Sequence, residues 1–346
     1  MIRVGLAGIG FMGWIHWLAY QKVASAQVTA ICSRNPQKRA GDWTDIQGNF
    51  GPPGEQVDTS QLATCATLDE LLADESIDLV DLCLPPHLHC EAAIAALQAG
   101  KHVFVEKPMG LTTAECDQMV AAAAAADRQV LVGHVLPFFP EYAHARSVIA
   151  SGTYGRLLGG HFKRVVSDPS WIEDFYDPAR VGGPLVDLHV HDAHLIRMLF
   201  GMPQSLVSQG RMRGEVVEFC TTLFQYADTS LVVSASSGVI NQQGRPFTHA
   251  LEIHLEQATL HYDHGGFTDG PETMPLKVLT ADDQVLRPDL GDGDPIRAFE
   301  VQIEEVVRSI ETSEASAILS GALARDAILL CHKQTESVVT GSSVLL

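Results

Sequence analysis

The chain lacks closely spaced cysteines. Its 346 residues include seven cysteines, an odd number, and no two of them form a Cys-x-x-Cys pair. Disulfide frameworks and cysteine-rich zinc sites usually show such pairs, so the pattern is typical of a protein kept reduced in the cytosol. A strand-like run begins at residues 1–4, and we therefore expect no signal peptide.

Basic residues are also scarce. The chain has 23 lysines and arginines against 42 aspartates and glutamates, a net charge of -19 at pH 7. Such a surface repels phosphate backbones and anionic lipids, which argues against nucleic-acid and membrane partners. No apolar run reaches the roughly 18 residues that a membrane-spanning helix needs. We therefore expect a soluble, cytoplasmic protein.

Residues 1–133 alternate between strand-like and helix-like segments. Strands are predicted at 2–7, 27–32, 79–84, 102–105 and 129–132, and helices at 12–25, 68–72, 90–99 and 112–126. This α/β alternation predicts a parallel sheet covered by helices on both faces, which binds ligands at the carboxyl ends of its strands.

The pattern changes between residues 134 and 346. Helices are predicted at 141–150 and 184–200, and strands at 157–165, 217–226, 230–236, 249–255 and 259–262. Strands in succession, separated by turn residues, predict an open and mostly antiparallel sheet with helices on one face. The predicted boundary between the two domains lies between residues 133 and 134.

A glycine-rich turn follows the first predicted strand. Gly8, Gly10 and Gly13 have the spacing G-x-G-x-x-G, with Phe11 and Met12 inside it. In a dinucleotide-binding turn these glycines allow the tight bend, the approach of the main chain to the pyrophosphate, and close packing of helix and strand. The N-terminus of the next helix then offers N–H groups to the phosphates. The position between strand and helix favours a dinucleotide site over a plain turn.

The end of the second predicted strand indicates which cofactor is bound. An enzyme that uses NAD usually has an acidic residue here to accept a hydrogen bond from the ribose 2′-hydroxyl. This chain has Ser33 and Arg34 instead. Because a guanidinium binds phosphate well, the sequence favours NADP over NAD. The alternative is that Arg34 is solvated or only stacks on the adenine.

A resemblance to a known family runs nearly from end to end. Its motifs are Gly8 to Gly13 with His16, Pro85 with His89, residues 99–108 (AGKHVFVEKP) and residues 182–192 (GGPLVDLHVHD). With these, the chain resembles the oxidoreductases that include glucose–fructose oxidoreductase, inositol 2-dehydrogenase and the rhizopine-catabolism proteins. The resemblance implies a Rossmann NAD(P)-binding domain at 1–133. It also implies an α+β domain at 134–346 that binds substrate and forms a homodimer or homotetramer through its open sheet.

The resemblance also assigns roles to individual residues. Lys107 corresponds to the lysine beside the nicotinamide that stabilises the developing alkoxide, and the Lys107–Pro108 peptide is a candidate for the cis form. Asp187 and His191 correspond to the family's acid–base pair, in which the histidine takes the hydroxyl proton. The expected cofactor contacts are Gly8, Gly10, Phe11, Met12, Gly13, Ser33, Arg34, Pro85, His89, Glu106 and Lys107.

Two histidines depart from the family's pattern. His189 and His194 stand where the family commonly has glycine and aspartate. On a regular helix Asp187, His191 and His194 share one face, an arrangement that would suit a metal ion with three protein ligands. Because the family uses no catalytic metal, we expect none here. His194 then either changes substrate recognition or packs under the site, and His189 is structural.

Two more side chains are candidate substrate contacts. His134 ends the last strand of the first domain, where the family's chain passes near the nicotinamide. Trp171 lies in an aromatic loop before the 184–200 helix, where it would stack on a sugar ring or pack against a neighbouring subunit. No basic cluster indicates a phosphorylated substrate, so the expected substrate is a neutral sugar, polyol or cyclitol.

The expected function is hydride transfer between a nicotinamide cofactor and a secondary alcohol or carbonyl of such a substrate. Two alternatives stay open. One is a glycosidase that uses tightly bound NAD for transient oxidation, a chemistry known from relatives of the family. The other is a non-catalytic NAD(P)-binding regulator, against which the presence of Lys107, Asp187 and His191 argues.

Overall fold

The computed structural model describes residues 1–169, 172, 174–291 and 293–346. Two units divide the chain, one made of Met1–Phe139 with Gly293–Arg325 and the other of Pro140–Asp292 with Asp326–Leu346. The predicted single boundary after residue 133 therefore differs from the observed division, because a segment near the C-terminus returns to the first unit. Among the described residues, no helix is long and apolar enough to cross a membrane.

The first unit contains a parallel sheet. Its strands are β1 (Ile2–Ala7), β2 (Ala26–Cys32), β3 (Ala63–Cys65), β4 (Leu79–Leu82), β5 (His102–Glu106) and β6 (Val130–Gly133). They are arranged in the order β3-β2-β1-β4-β5-β6, and every neighbouring pair is parallel. This is the strand order of a dinucleotide-binding Rossmann fold, whose ligand lies at the carboxyl edge where the order reverses between β1 and β4. The predicted Rossmann domain is confirmed.

Short helices connect these strands. They are α1 (Phe11–Tyr20), α2 (Pro36–Arg39), α3 (Leu68–Leu72), α4 (His89–Gln98) and α5 (Thr113–Ala126). The start of α5 follows from a capping box, in which Thr112 and Glu115 each satisfy the other's main-chain N–H. The end of α1 comes earlier than predicted.

A long loop between α2 and β3 packs on α1. Trp43 in this loop is fully buried, and its ring meets those of Trp14 and Trp17 edge-on. The Trp14 indole N–H also donates to the carbonyl oxygen of Pro52 at 2.9 Å. Trp14 therefore belongs to the core and the partly buried Trp17 packs against it, and together they hold the loop against the helix that follows the glycine turn.

The second unit contains the large open sheet. After α6 (Pro140–Ser151) come β7 (Leu157–Ser167), a π turn (Leu185–His189), α7 (Val190–Phe200), β8 (Ser205–Arg213), β9 (Val216–Gln225), β10 (Val232–Ile240), β11 (Phe247–Leu255), β12 (Ala258–Phe267), β13 (Gly270–Thr280) and β14 (Val285–Leu286). The chain closes with α8 (Pro295–Thr312), α9 (Gly321–Thr340) and β15 (Val344–Leu345).

Within the described part of the chain, nine strands form this sheet in the order β14-β13-β12-β11-β7-β10-β9-β8-β15. Among these described strands only β7 and β10 pair in parallel, so the predicted open and mostly antiparallel sheet is confirmed. Burial alternates along β11, where Leu251 and Ile253 are buried and Glu252 and His254 are partly exposed. One face therefore carries core side chains and the other is polar.

The returning segment explains the difference from the predicted domain boundary. In α8 the apolar residues Ile296, Phe299, Ile303 and Val306 recur every three or four positions, and all are buried in the core of the first unit. This spacing places them on one face of a helix. This spacing is typical of a buried helical face, whereas the tertiary fold decides which elements pack on it, here α1 and the turn at Leu136–Phe138.

Candidate functional site

The glycine turn between β1 and α1 has the geometry that a diphosphate needs. Gly8 has φ +98°, and a Cβ there would lie 2.3 Å from the Cys83 carbonyl oxygen. A Cβ at Gly13 would lie 2.1 Å from the Gly8 carbonyl oxygen. Gly10, in contrast, precedes α1 without a side-chain cap, and a Cβ there would meet nothing within 4 Å. The open space before the N–H groups of α1 fits a pyrophosphate.

Two residues inside the turn were predicted to contact the cofactor. Phe11 is half-buried, and its ring meets the Phe50 ring at 4.9 Å in an edge arrangement. Met12 is also half-buried and packs against the core. The side chain of Phe11 therefore helps to hold the loop between α2 and β3, while the first turn of the helix presents its main chain at the open space.

The end of β2 lies beside the glycine turn, because the Gly8 N–H donates to the Cys32 carbonyl oxygen at 3.0 Å. Arg39 holds the following main chain by donating from Nη1 to the carbonyl oxygens of Ser33 and Arg34, at 2.6 and 3.1 Å. The Arg34 side chain is exposed. This turn therefore places a hydroxyl and an accessible guanidinium where a dinucleotide fold binds the adenosine ribose.

His89 connects the loops that follow β4 and β5. Its Nδ1 lies 2.7 Å from the Pro108 carbonyl oxygen and its Nε2 lies 2.7 Å from the Leu84 carbonyl oxygen. The ring is fully buried. Because both nitrogens are used inside the protein, the predicted direct contact of His89 with the cofactor does not fit this geometry. Pro85, which follows Leu84, is exposed, and the Lys107–Pro108 peptide is cis as predicted.

Glu106 also differs from its predicted role as a direct cofactor contact. It is 5% exposed, with Oε1 at 3.1 Å from His16 Nε2, and Oε2 accepts from the Lys107 N–H at 3.1 Å. The carboxylate therefore holds the main chain at Lys107. The Lys107 side chain is half-buried and follows directly on β5, at the same sheet edge as the glycine turn.

Sequence reasoning missed Asp81, the partner on the other side of His16. Asp81 lies in β4 and is fully buried, with Oδ2 at 2.9 Å from His16 Nδ1. A signal was present, since an aspartate inside the apolar run LVDL is costly to bury without a partner. Among the described residues, His16, Asp81 and Cys83 also form the one group spaced closely enough to hold a metal ion. The helical trio considered as an alternative metal site, Asp187 with His191 and His194, is not such a group.

In the second unit, the helix that carries Asp187 and His191 begins irregularly. Residues Leu185–His189 form a π turn, and α7 continues from Val190. The predicted regular helix over 184–200 is therefore wrong in its first turn. Both Asp187 and His191 are half-buried. Single π turns in helices are frequent at functional sites, and this one changes the direction in which the first side chains leave the helix.

His189 and His194 are both buried in the second unit. Nε2 of His189 accepts from the Gln334 side-chain amide at 3.0 Å, and burial lowers the pKa of His189. Its neutral, hydrogen-bonded ring fits the predicted structural role. His194 is fully buried on α7. In the first unit the candidate substrate contact His134 is buried as well, and Trp171 lies outside the described residues.

Asp192, which sequence reasoning also missed, anchors the start of α7. Its carboxylate accepts two hydrogen bonds from Arg164 on β7, from Nε at 2.8 Å and Nη2 at 3.1 Å. Both side chains are buried. The paired, bidentate geometry fixes the turn that immediately follows His191.

Known proteins match both units. A family described as an oxidoreductase family with an NAD-binding Rossmann fold matches residues 2–134, and the GFO/IDH/MocA C-terminal domain matches residues 142–261. A levoglucosan dehydrogenase from Pseudarthrobacter phenanthrenivorans is 31% identical over 219 residues, which are 58% of this chain and 51% of that protein. A glycosyl hydrolase family 109 protein from Shewanella amazonensis is 33% identical over 167 residues, 46% of this chain and 34% of that protein.

The chain spans about half or less of the length of these curated relatives. A solved structure of levoglucosan dehydrogenase in complex with NADH and L-sorbose has the same fold, with a TM-score of 0.82 at 23% identity over 99% of this chain and 98% of that one. Because the two family matches together cover more than half of the chain, the chain belongs to the GFO/IDH/MocA family of oxidoreductases, whose first domain is the NAD-binding Rossmann fold.

Proposed function

We propose that the protein transfers a hydride between a nicotinamide cofactor and a secondary alcohol or carbonyl of a neutral sugar, polyol or cyclitol. The observation that carries this proposal is the carboxyl edge of the first sheet. The glycine turn follows β1 and Lys107 follows β5, and these strands flank β4 in one parallel sheet. A diphosphate site and a lysine at one edge suit a dinucleotide-dependent enzyme.

In this proposal the residues divide the chemistry as the family resemblance implies. The bound cofactor supplies the hydride acceptor, or the donor in the reverse direction. Lys107 holds the reacting hydroxyl and stabilises its oxygen as negative charge develops. His191 takes the hydroxyl proton, a task that suits an imidazole whose ordinary pKa is about 6.5, and Asp187 orients its ring.

NADP is the proposed cofactor. Ser33 and Arg34 stand at the end of β2 in place of an acidic residue, and Arg39 is engaged with their carbonyl oxygens, which leaves Arg34 to meet a 2′-phosphate. A charge-assisted hydrogen bond of this kind is worth about 1.5–3 kcal/mol. The expected preference for NADPH over NADH is therefore about 10- to 100-fold.

The test is a titration of the protein with NADPH and with NADH, followed by heat release. Arg34→Ala should weaken NADPH binding by about 10- to 100-fold and leave NADH binding unchanged. Arg3→Ala, an exposed arginine of the same unit that pairs with Asp78, is the matched control and should change neither. Tighter binding of NADH would overturn the NADP assignment alone, whereas binding of neither cofactor would refute the dehydrogenase proposal.

A glycosidase that oxidises its substrate transiently is the second candidate, favoured by the similarity to the glycosyl hydrolase family 109 protein. A panel of nitrophenyl glycosides separates the two. The proposed dehydrogenase reduces free NADP with levoglucosan, hexoses or cyclitols and releases no nitrophenol. Release of nitrophenol without net cofactor reduction would favour the glycosidase, and cofactor binding without either reaction would favour a regulator.

We also propose that the protein forms a homodimer or homotetramer through the polar face of its nine-stranded sheet. This face carries exposed apolar side chains among polar ones, including Leu223 on β9 and Val232 on β10, which are 43% and 54% exposed. Exposed apolar side chains on a sheet face suit contact with a second copy.

A further inference from the structure

A buried group of charged side chains lies between α1 and the first sheet. It consists of His16 on α1, Asp81 on β4 and Glu106 at the end of β5, and is called here the His16 cluster. His16 and Asp81 are fully buried and Glu106 is 5% exposed. Charges buried this deeply are stable only when they are paired and hydrogen-bonded. The cluster therefore occupies a defined geometry.

With both carboxyls ionised, the hydrogen bonds of the cluster place hydrogen on both ring nitrogens of His16. Nδ1 lies 2.9 Å from Asp81 Oδ2 and Nε2 lies 3.1 Å from Glu106 Oε1. An ionised carboxylate only accepts hydrogen bonds, so a neutral ring would face one carboxylate with a lone pair. Burial lowers the pKa of His16, but the charge of Asp81, the neighbouring Cys83 and the hydrogen bonds with both together outweigh burial, so that the pKa lies well above 6.5. The ring is thus an imidazolium between two carboxylates.

The rest of the surroundings leave His16 little freedom. Its ring stacks on Phe104 with the planes 9° apart and the centroids 5.2 Å apart. Tyr20 donates to Asp81 Oδ2 at 3.0 Å, and the Cys83 thiol lies 3.4 Å from His16 Nδ1. Burial raises the pKa of the Cys83 thiol to about 12, which keeps it protonated. None of Phe104, Tyr20 and Cys83 carries a positive charge, so within this set His16 supplies the positive charge that faces the two carboxylates.

The cluster reaches the candidate reacting lysine through one carboxylate. Glu106 Oε1 faces His16, while Oε2 accepts from the Lys107 N–H at 3.1 Å. Gly133 on the neighbouring β6 makes room for this arrangement, since a Cβ there would lie 2.6 Å from Glu106 Oε1. The carboxylate is therefore held on one side by His16 and holds the Lys107 main chain on the other.

His16 also belongs to the helix that starts at the glycine turn. α1 begins at Phe11, directly after Gly10, and His16 lies within its second turn. A continuous path of covalent and hydrogen-bonded contacts thus joins the diphosphate turn to the main chain of Lys107. This path sets the distance between the diphosphate turn and Lys107, and so the position of the lysine relative to a bound cofactor.

We propose that His16 is a positioning residue, which as a doubly hydrogen-bonded imidazolium fixes Glu106 and through it the main chain of Lys107 relative to the glycine turn. The inference rests on the proposed function, because the position of Lys107 affects a reaction rate only if the protein transfers a hydride there. It does not make His16 a catalytic residue, since the ring is fully buried. Misplacing a reacting group by about 1 Å lowers the rate by about 100-fold, so loss of His16 should lower kcat.

The first experiment needs no activity. With ¹⁵N-labelled histidine, the His16 imidazole of the wild-type protein should show two protonated nitrogens at pH 8, assigned by their absence in His16→Gln. Hydrogen exchange at the Lys107 amide should be faster in His16→Gln than in the wild type. Tyr20→Phe is the matched control, because it removes one hydrogen bond to the same Asp81 and leaves His16 facing Glu106. Exchange at Lys107 should not change in this control.

The second experiment measures steady-state kinetics with the cofactor and substrate found by the panel above. His16→Gln should lower kcat by about 10- to 100-fold with KM and cofactor affinity changed less than about threefold, and Tyr20→Phe should keep the wild-type kcat. A neutral imidazole at pH 8, assigned in the wild-type protein through correlations to the His16 main chain, would refute the inference even if His16→Gln did not fold. Equal Lys107 exchange in the two variants would refute it as well. A wild-type protein with no activity would refute the proposed function, while the spectra and exchange rates would still decide the role of His16.

Discussion

Replacing Asp192 by asparagine removes the negative charge that faces the buried guanidinium of Arg164. The two hydrogen bonds of 2.8 and 3.1 Å are made by side chains that are 1% and 5% exposed, so water cannot replace the lost carboxylate. Phe247, whose ring centroid lies 5.8 Å from the guanidinium carbon, offers only a weak substitute. Breaking a buried ion pair by removing one partner costs about 3–5 kcal/mol. We expect Asp192→Asn to lower the free energy of unfolding of the second unit by this amount.

The assay is urea denaturation followed by hydrogen exchange in peptides from β7 and α7, because this reports on the second unit separately. Arg164→Met with Asp192→Leu is the matched control. This pair removes both charges and replaces them by apolar groups, so it should be less destabilised than Asp192→Asn alone. A loss below about 1 kcal/mol in Asp192→Asn, with the slope against urea unchanged, would refute the view that this pair holds α7 on the sheet.

Two further predictions concern the second unit. Burial, helped by the charges of Arg164 and His264, lowers the pKa of His249 from 6.5 to about 2. The ring is therefore neutral in the folded protein, and below pH 6.5 it becomes protonated on unfolding. The stability that depends on this neutral ring is complete above pH 6.5 and is lost as the pH falls toward 2. The loss is at most about 1.4 kcal/mol per pH unit. His249→Phe should flatten the dependence of the unfolding free energy on pH between 4 and 6.5, and an unchanged slope would contradict this. Leu223→Lys on the polar sheet face should shift the sedimentation coefficient toward that of a monomer, and a wild-type protein that sediments as a monomer would contradict the proposed oligomer.

Much of the first unit was predictable because its signals are local. Alternating apolar and helical segments predicted the parallel sheet, and strands β1, β2, β5 and β6 lie within one or two residues of the predicted bounds. The glycine turn was predictable for the same reason. Its demands act between neighbours, as at Gly13, where a Cβ would strike the Gly8 carbonyl oxygen.

The returning helix and the irregular helix start were not predictable in the same way. The apolar stripe of α8 indicates a buried face, but the choice of α1 as its partner depends on residues nearly 300 positions earlier, such as His16, whose ring packs against Phe299. The π turn at Leu185–His189 contains no residue type that is disfavoured in a regular helix. Periodicity alone therefore predicted a regular helix.

The candidate site shows the same division. The sequence by itself determined which residues stand at the carboxyl ends of the strands, since strand bounds and motif spacing follow from local pattern. Only the tertiary structure decided what Glu106 and His89 do there. Glu106 meets His16, which lies 90 positions earlier in the chain, and His89 meets Pro108 as well as the nearby Leu84. Both therefore hold the loops instead of presenting donors to a ligand. A buried polar group must find its partner wherever the fold brings one within hydrogen-bond distance, and that distance is a property of the packed chain.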